Sequence, residues 1–109
     1  MAVTVVDSGS QTATLTTWHD VDTIVSTAGV YVFAVDMSNL ANGETLDIRV
    51  KVNTVSGGTQ AVLYQASYSH AQAEPIVQTP PIVVPDDATF SIRQTGGTGR
   101  AFPWATLSL

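Results

Sequence analysis

Residues 29–53 read GVYVFAVDMSNLANGETLDIRVKVN, and the alternation in the second half decides the fold class. Leu46, Ile48, Val50 and Val52 fall on one side of an extended chain, Asp47, Arg49 and Lys51 on the other. Side chains of a strand point to opposite faces at every step, so residues 45–53 read as a strand with one buried face. A helix would scatter the four aliphatics around its circumference. The first half, residues 30–35, is apolar throughout and holds Tyr31 and Phe33. Such a strand is covered on both faces, or covered on the second face by a partner chain. Asn42-Gly43 can take the positive φ of a tight turn, so the two strands are expected to pair directly. Residues 38–43 leave room for one helical turn.

Working outward, the same alternation recurs. Residues 3–6 are a short apolar opening, an edge strand or an arm covering residues 1–8. Residues 7–10, DSGS, read as a turn, and residues 11–18, QTATLTTW, as a Thr-rich strand. His19-Asp20 breaks the pattern before a short strand over residues 21–26. Gly57-Gly58 gives a hairpin connection. Residues 60–70 then form a long strand, with Val62, Tyr64, Ala66, Tyr68 and His70 along one face. Residues 71–88 hold Pro75, Pro80, Pro81 and Pro85, which exclude a central strand because proline lacks the ladder's donor. Residues 88–94 alternate again, 95–100 turn, and 101–109 form a last apolar strand. About eight short strands with turns between them indicate an all-β sandwich, and a jelly roll of two packed antiparallel sheets fits that count.

The 109 residues suffice for one domain, 1–109, with one core. Cysteine is absent, which removes disulfides, thiolate metal sites and a cysteine nucleophile. No run approaches the length of a membrane span, and residues 1–10 lack the basic start and apolar run of a signal peptide. Charged residues make up 12% of the chain, against about 25% in ordinary soluble domains. A surface so short of charge is poorly defended against association, and we expect other subunits to cover much of it. A net charge of -5 with four basic residues argues against nucleic acid as a partner.

No constellation meets the requirements of catalysis, and no cofactor or metal is expected. Asp20 and Asp22 in HDVD share a face of a regular strand, yet two carboxylates are too few for a cation. Asp86-Asp87 reads as a solvated turn after Pro85. Gly96, Gly97, Gly99 and Arg100 have the look of a phosphate loop, but a strand follows where a helix N-terminus is required. The candidate contact residues are instead Tyr64, Tyr68, His70, Pro80, Pro81, Arg100, Phe102 and Trp104. Aromatic residues and arginine anchor protein interfaces. Extended proline-rich segments reach a neighbour's sheet edge. Trp18, Phe102 and Trp104 serve equally as core closures on this reading.

The C-terminal stretch RQTGGTGRAFPWATLSL resembles that of small proteins encoded among the head genes of tailed bacteriophages. Those proteins end in a strand, a Gly-Thr-Gly-Arg turn and an aromatic-Pro-Trp strand. The likeness extends over residues 31–36, 42–44, 46–52, 56–59 and 68–70, and so over most of the chain from Gly29 onward. It implies a virion component on the capsid surface, present in the host cytoplasm during assembly. The implied role is a decoration or cement protein that binds the major capsid protein as a dimer or trimer. It carries over no catalytic residue. A carbohydrate-binding sandwich of a tail or fibre is the alternative, with Tyr64, Tyr68, His70 or Trp104 as a stacking platform.

Overall fold

A computed structural model describes residues 3–109. Among them the chain forms nine strands and no helix: β1 (Thr4–Thr12), β2 (His19–Ile24), β3 (Gly29–Asp36), β4 (Thr45–Val52), β5 (Ala61–Ser69), β6 (Ile76–Gln78), β7 (Ile82–Val84), β8 (Ala88–Thr95) and β9 (Ala101–Ser108). The first sheet runs β1-β9-β3-β6, with β7 also on β3; the second runs β2-β8-β4-β5. Every pairing is antiparallel. The pairings nest: β4 with β5, β3 with β6 and β7, β2 with β8, β1 with β9. The chain is thus one long hairpin rolled across two layers, which is a jelly roll.

Its sixth strand is split. Pro80 and Pro81 cannot donate to a ladder, so β6 and β7 flank them as two short pieces on the same strand, β3. Thr79 bridges the gap. Its N–H donates to the Phe33 carbonyl at 2.9 Å, and its hydroxyl accepts the Phe33 N–H at 3.0 Å. The backbone of β3 therefore keeps its partners across the break.

The direct pairing expected of residues 30–35 with 45–53 does not form. β3 and β4 lie in opposite sheets. Both carry an apolar row, and placing the rows face to face buries both. Tyr31, Phe33 and Val35 meet Leu46, Ile48 and Val50 in one core, each at most 4% exposed. Phe33 and Phe90 meet across the layers, ring centroids 5.4 Å apart and tilted by 51°. The connection crosses the end of the sandwich and sinks Met37 and Leu40 into the core. It is built from two tight turns, Leu40 N–H to Met37 O and Glu44 N–H to Ala41 O, where one helical turn was expected.

Expectations for the N-terminal part also give way. Residues 7–10 are not a turn. They lie inside β1 and pair with residues 103–106 of β9, and Gly9 gives its missing side chain's space to Trp104, 3.3 Å from where a Cβ would stand. Of the two readings of the opening residues, an edge strand or an arm over residues 1–8, residues 4–8 take the first as part of the edge strand β1, while Met1 and Ala2 lie outside the described residues. Residues 11–18 are not one strand either. β1 ends at Thr12, and the chain changes sheets through a turn at Leu15-Thr16. Finally, a bulge lies between Asp20 and Asp22. It turns Asp20 outward to Ser91 and Asp22 inward to Thr106 of the opposite sheet, so the two carboxylates share no face.

Candidate docking surface

Each sheet has an inner face on the core and an outer face. On the first sheet the pairing register fixes which residues stand outward. Val30, Val32, Ala34 and Asp36 of β3 stand beside Leu107, Ala105 and Pro103 of β9, with Val5, Ser8 and Ser10 of β1 beyond them. Val83, Gln78 and Ile76 complete the far side. Asp36 is the sole charged residue among these, and it stands at one end, its carboxylate accepting the Ser38 N–H at 2.9 Å. Val5, Ile76 and Val83 are 59%, 59% and 67% exposed. Ala34, Asp36, Ala105, Pro103 and Ile76 line a shallow trough of about 230 Å³ beside Trp104. The outer row of β3 is therefore apolar up to Asp36, and no second layer of this chain packs on it, although the neighbouring strands leave Val32 only 9% exposed.

The second sheet's outer face is built differently. Asp47 pairs with Arg93, whose Nη2 lies 2.7 Å from the carboxylate and whose Nε lies 3.0 Å from it. Ser67 donates to the other Asp47 oxygen at 2.6 Å. Trp18, at the end of the β1–β2 crossing, folds down on this face. Arg49 and Arg93 lie 3.9 and 4.4 Å from its ring centre. The Arg49 Nε is buried with no hydrogen-bond acceptor, and the indole face offsets that loss. Ser91, Asp47 and Thr89 thereby become buried, at 0%, 5% and 7% exposure, although they point away from the core. Trp18 is neither a core closure nor a free anchor.

The sequence-based contact residues scatter. Tyr64 and Tyr68 turn inward from β5 and pack on the edge of the core. Burial, then the neighbouring Tyr64, pushes the Tyr68 phenol above its usual range. Tyr68 also borders a cleft of about 410 Å³ with Gln72, Glu74 and Ile76. His70 follows β5 in the left-handed region, φ 68°, and its Nδ1 accepts the Gly43 N–H at 2.9 Å. Pro80 and Pro81 are exposed at the split strand. Phe102 is fully buried and offers no surface; it is a core residue. Trp104 is half-buried against the core beside the trough.

Arg100 belongs to an internal clasp. Glu44, 3% exposed, accepts from the Arg100 guanidinium at 3.1 Å, the Thr98 N–H at 3.2 Å and the Ala41 N–H at 2.9 Å. The Gly-rich loop thus closes over a carboxylate of its own chain. A side chain at Gly97 would strike Glu44, and one at Gly99 the Ala13 carbonyl, each 2.3 Å from the added atom. Gln94, fully buried, fastens the loop from below through Gly96 O, Thr98 O and the Arg100 N–H. Asn53 does the same for the 53–58 turn and Asp87, so the Asp86-Asp87 pair braces a turn. Among the described residues no group of three or more His, Cys, Asp or Glu is placed to hold a metal ion.

The outer-face residues Val32, Ala34, Ala105 and Leu107 are not among the sequence-based candidates. Their signal was the second apolar row of residues 30–35, but which residues stand beside that row depends on β9, which no local pattern identifies. Comparison with protein-family models, with curated proteins and with solved structures returns no match.

Proposed function

We propose that this chain is a structural virion protein, a decoration or cement subunit that binds and stabilises a phage capsid lattice. One observation carries the reading: the outer row of β3, Val30, Val32 and Ala34, is apolar like the inner one, yet no second layer of this chain lies over it, and only the flanking strands shield it, leaving Val32 9% exposed. The uncovered row continues across β9 into a face with one charge at its margin. A protein partner of matching flat apolar surface gains the burial energy, about 25 cal/mol per Å², that this face forgoes in water. The resemblance of the C-terminal strand and its Gly-rich turn to phage head proteins gives that partner its class, the major capsid protein. Many copies acting together turn a modest contact into lattice reinforcement.

The test is recovery with intact virus particles. A copy number near that of the major capsid protein supports the reading, and a few copies per particle points to a tail or neck part. No recovery overturns it. The carbohydrate-binding alternative rests on the cleft beside Tyr68, and saturable quenching of tyrosine or tryptophan emission by a glycan would favour it. Against it, Tyr64 and Tyr68 turn their row inward.

A further inference from the structure

The two sheets leave four edge strands, and three are defended. Edges are natural templates for another chain, and proteins blunt them with charge, proline, bulges or short length. β2 is six residues long, carries Asp20 and Asp22 and is bulged between them. β6 and β7 are three residues each and are separated by Pro80-Pro81. β1 holds Asp7 and Gly9 and shifts register between Val5 and Asp7.

β5 has few such defences. Its nine residues, AVLYQASYS, include no charge, no proline and no glycine. Its one bulge, at Leu63, lies near its start and leaves residues 64–69 in regular pairing with β4. Val62 and Leu63 are 51% and 53% exposed. Among the described residues, the β5 backbone is bonded along β4 and otherwise only at Ser69, whose carbonyl accepts from Gln72 Nε2 at 2.8 Å.

We propose that a second copy of this chain adds to β5, antiparallel about a two-fold axis near Ala66, joining two four-stranded sheets into one of eight strands. A two-fold axis normal to the sheet sets each outer row beside the same row of its copy. Like charges would meet there, and this strand has none; Gln65, Ser67 and Ser69 instead supply donors and acceptors to one another. The tyrosine row, Tyr64 and Tyr68, meets its copy along the inner edge. The register about Ala66 sets residues 63–69 of the two copies side by side, a span of about 23 Å, so the contact lies below the roughly 1,000 Å² of a stable specific interface. The dimer is therefore reversible and concentration-dependent. It does not depend on the capsid reading, because it uses a different surface.

Sedimentation equilibrium of the purified chain tests it. The expected result is a monomer–dimer equilibrium. Gln65→Lys weakens it at least tenfold, because the two lysines then stand diagonally across the axis within reach of each other, and leaves the thermal midpoint within a degree or two. Val83→Lys, on the first sheet's outer face, leaves the equilibrium unchanged. The absence of native cysteine makes a second readout clean. A mixture of Gln65→Cys and Ser67→Cys chains should oxidise to a covalent dimer, and Val83→Cys should not. A strictly monomeric chain at high concentration overturns the proposal. So does a dimer that Val83→Lys dissociates and Gln65→Lys does not.

Discussion

On the outer face of the first sheet, Val32, Ala34, Ala105 and Leu107 stand in paired rows with no charge among them. On the outer face of the second, Asp47, Arg49, Ser91 and Arg93 occupy equivalent positions, and Trp18 lies over the two guanidinium groups. Three of the four basic residues, Arg49, Lys51 and Arg93, belong to that second face. The low charge of the chain is thus uneven. One face uses its charges on its own chain and is closed by an aromatic lid, and the other has only Asp36, at its margin, and no lid. Such a difference within one small domain separates a finished surface from one that gains by meeting a partner.

The largest expected effect breaks the apolar face. Ala105→Glu places a charge in the trough between Ala34 and Pro103. Binding to virus particles, read by co-sedimentation, should fall about a hundredfold, since burying an unpaired carboxylate opposes docking by several kcal/mol. The thermal midpoint should hardly move, because the site faces water in the free chain. Equal binding by the variant would mean that this face docks nothing.

Removing the lid of the other face is the next largest. Trp18→Ala should cost about 2 kcal/mol of folding stability in urea titration, from two lost cation–π contacts and the exposure of Ser91 and Asp47. Particle binding should stay as it was. A loss of binding with unchanged stability would transfer the docking role to the second sheet.

A third change tests the clasp that ties the two sheets' ends together. Gly97→Ala puts a methyl group onto Glu44 at a φ of +68°, and we expect about 1–2 kcal/mol of destabilisation. Gly43→Ala, with a positive φ but open space around it, should cost less.

The smallest effect is pH-dependent. The Arg100 guanidinium, then the Ala41 N–H, hold the Glu44 carboxyl below the usual carboxylate range, against the opposing effect of burial. A depressed folded pKa means that the native state resists protonation. The stabilisation is complete above the unfolded value of about 4.3 and is lost as pH falls through the lower folded value. Glu44→Gln should therefore melt earlier than the wild type at pH 7, and the gap should narrow as pH drops below about 4. A gap that is constant with pH would mean that the carboxylate charge does nothing there.

Much of the architecture was legible locally. The alternation of Leu46, Ile48 and Val50 marked a strand with a buried face, and all three are fully buried. Asn42-Gly43, Gly57-Gly58 and Gly96-Gly97 marked turns, and Gly43, Gly57, Gly96 and Gly97 do take positive φ. The prolines marked the broken strand. Residues 7–10 misled, because DSGS has turn composition and becomes strand only through its partner β9. HDVD misled for a related reason. The single-residue bulge that parts Asp20 from Asp22 is set by the pairing with β8 and leaves no trace in periodicity. The strand after the Gly-rich loop was legible, but nothing in TGGTGR announces that the loop closes on Glu44, some fifty residues earlier in the chain.

The sequence by itself determined that this chain is built of strands, that residues 30–35 are apolar on both sides, and that few charges exist to cover its surface. Each of these is a property of consecutive side chains, whose direction the extended backbone fixes without reference to anything distant. Only the tertiary structure decided that β3 and β4 face each other across the core, that β9 lies beside β3, and that Trp18 shields one outer face while the other stays bare. Those choices are made by burial between residues far apart in the chain, where the stability gained by covering two apolar rows outweighs the preference of neighbouring strands to pair.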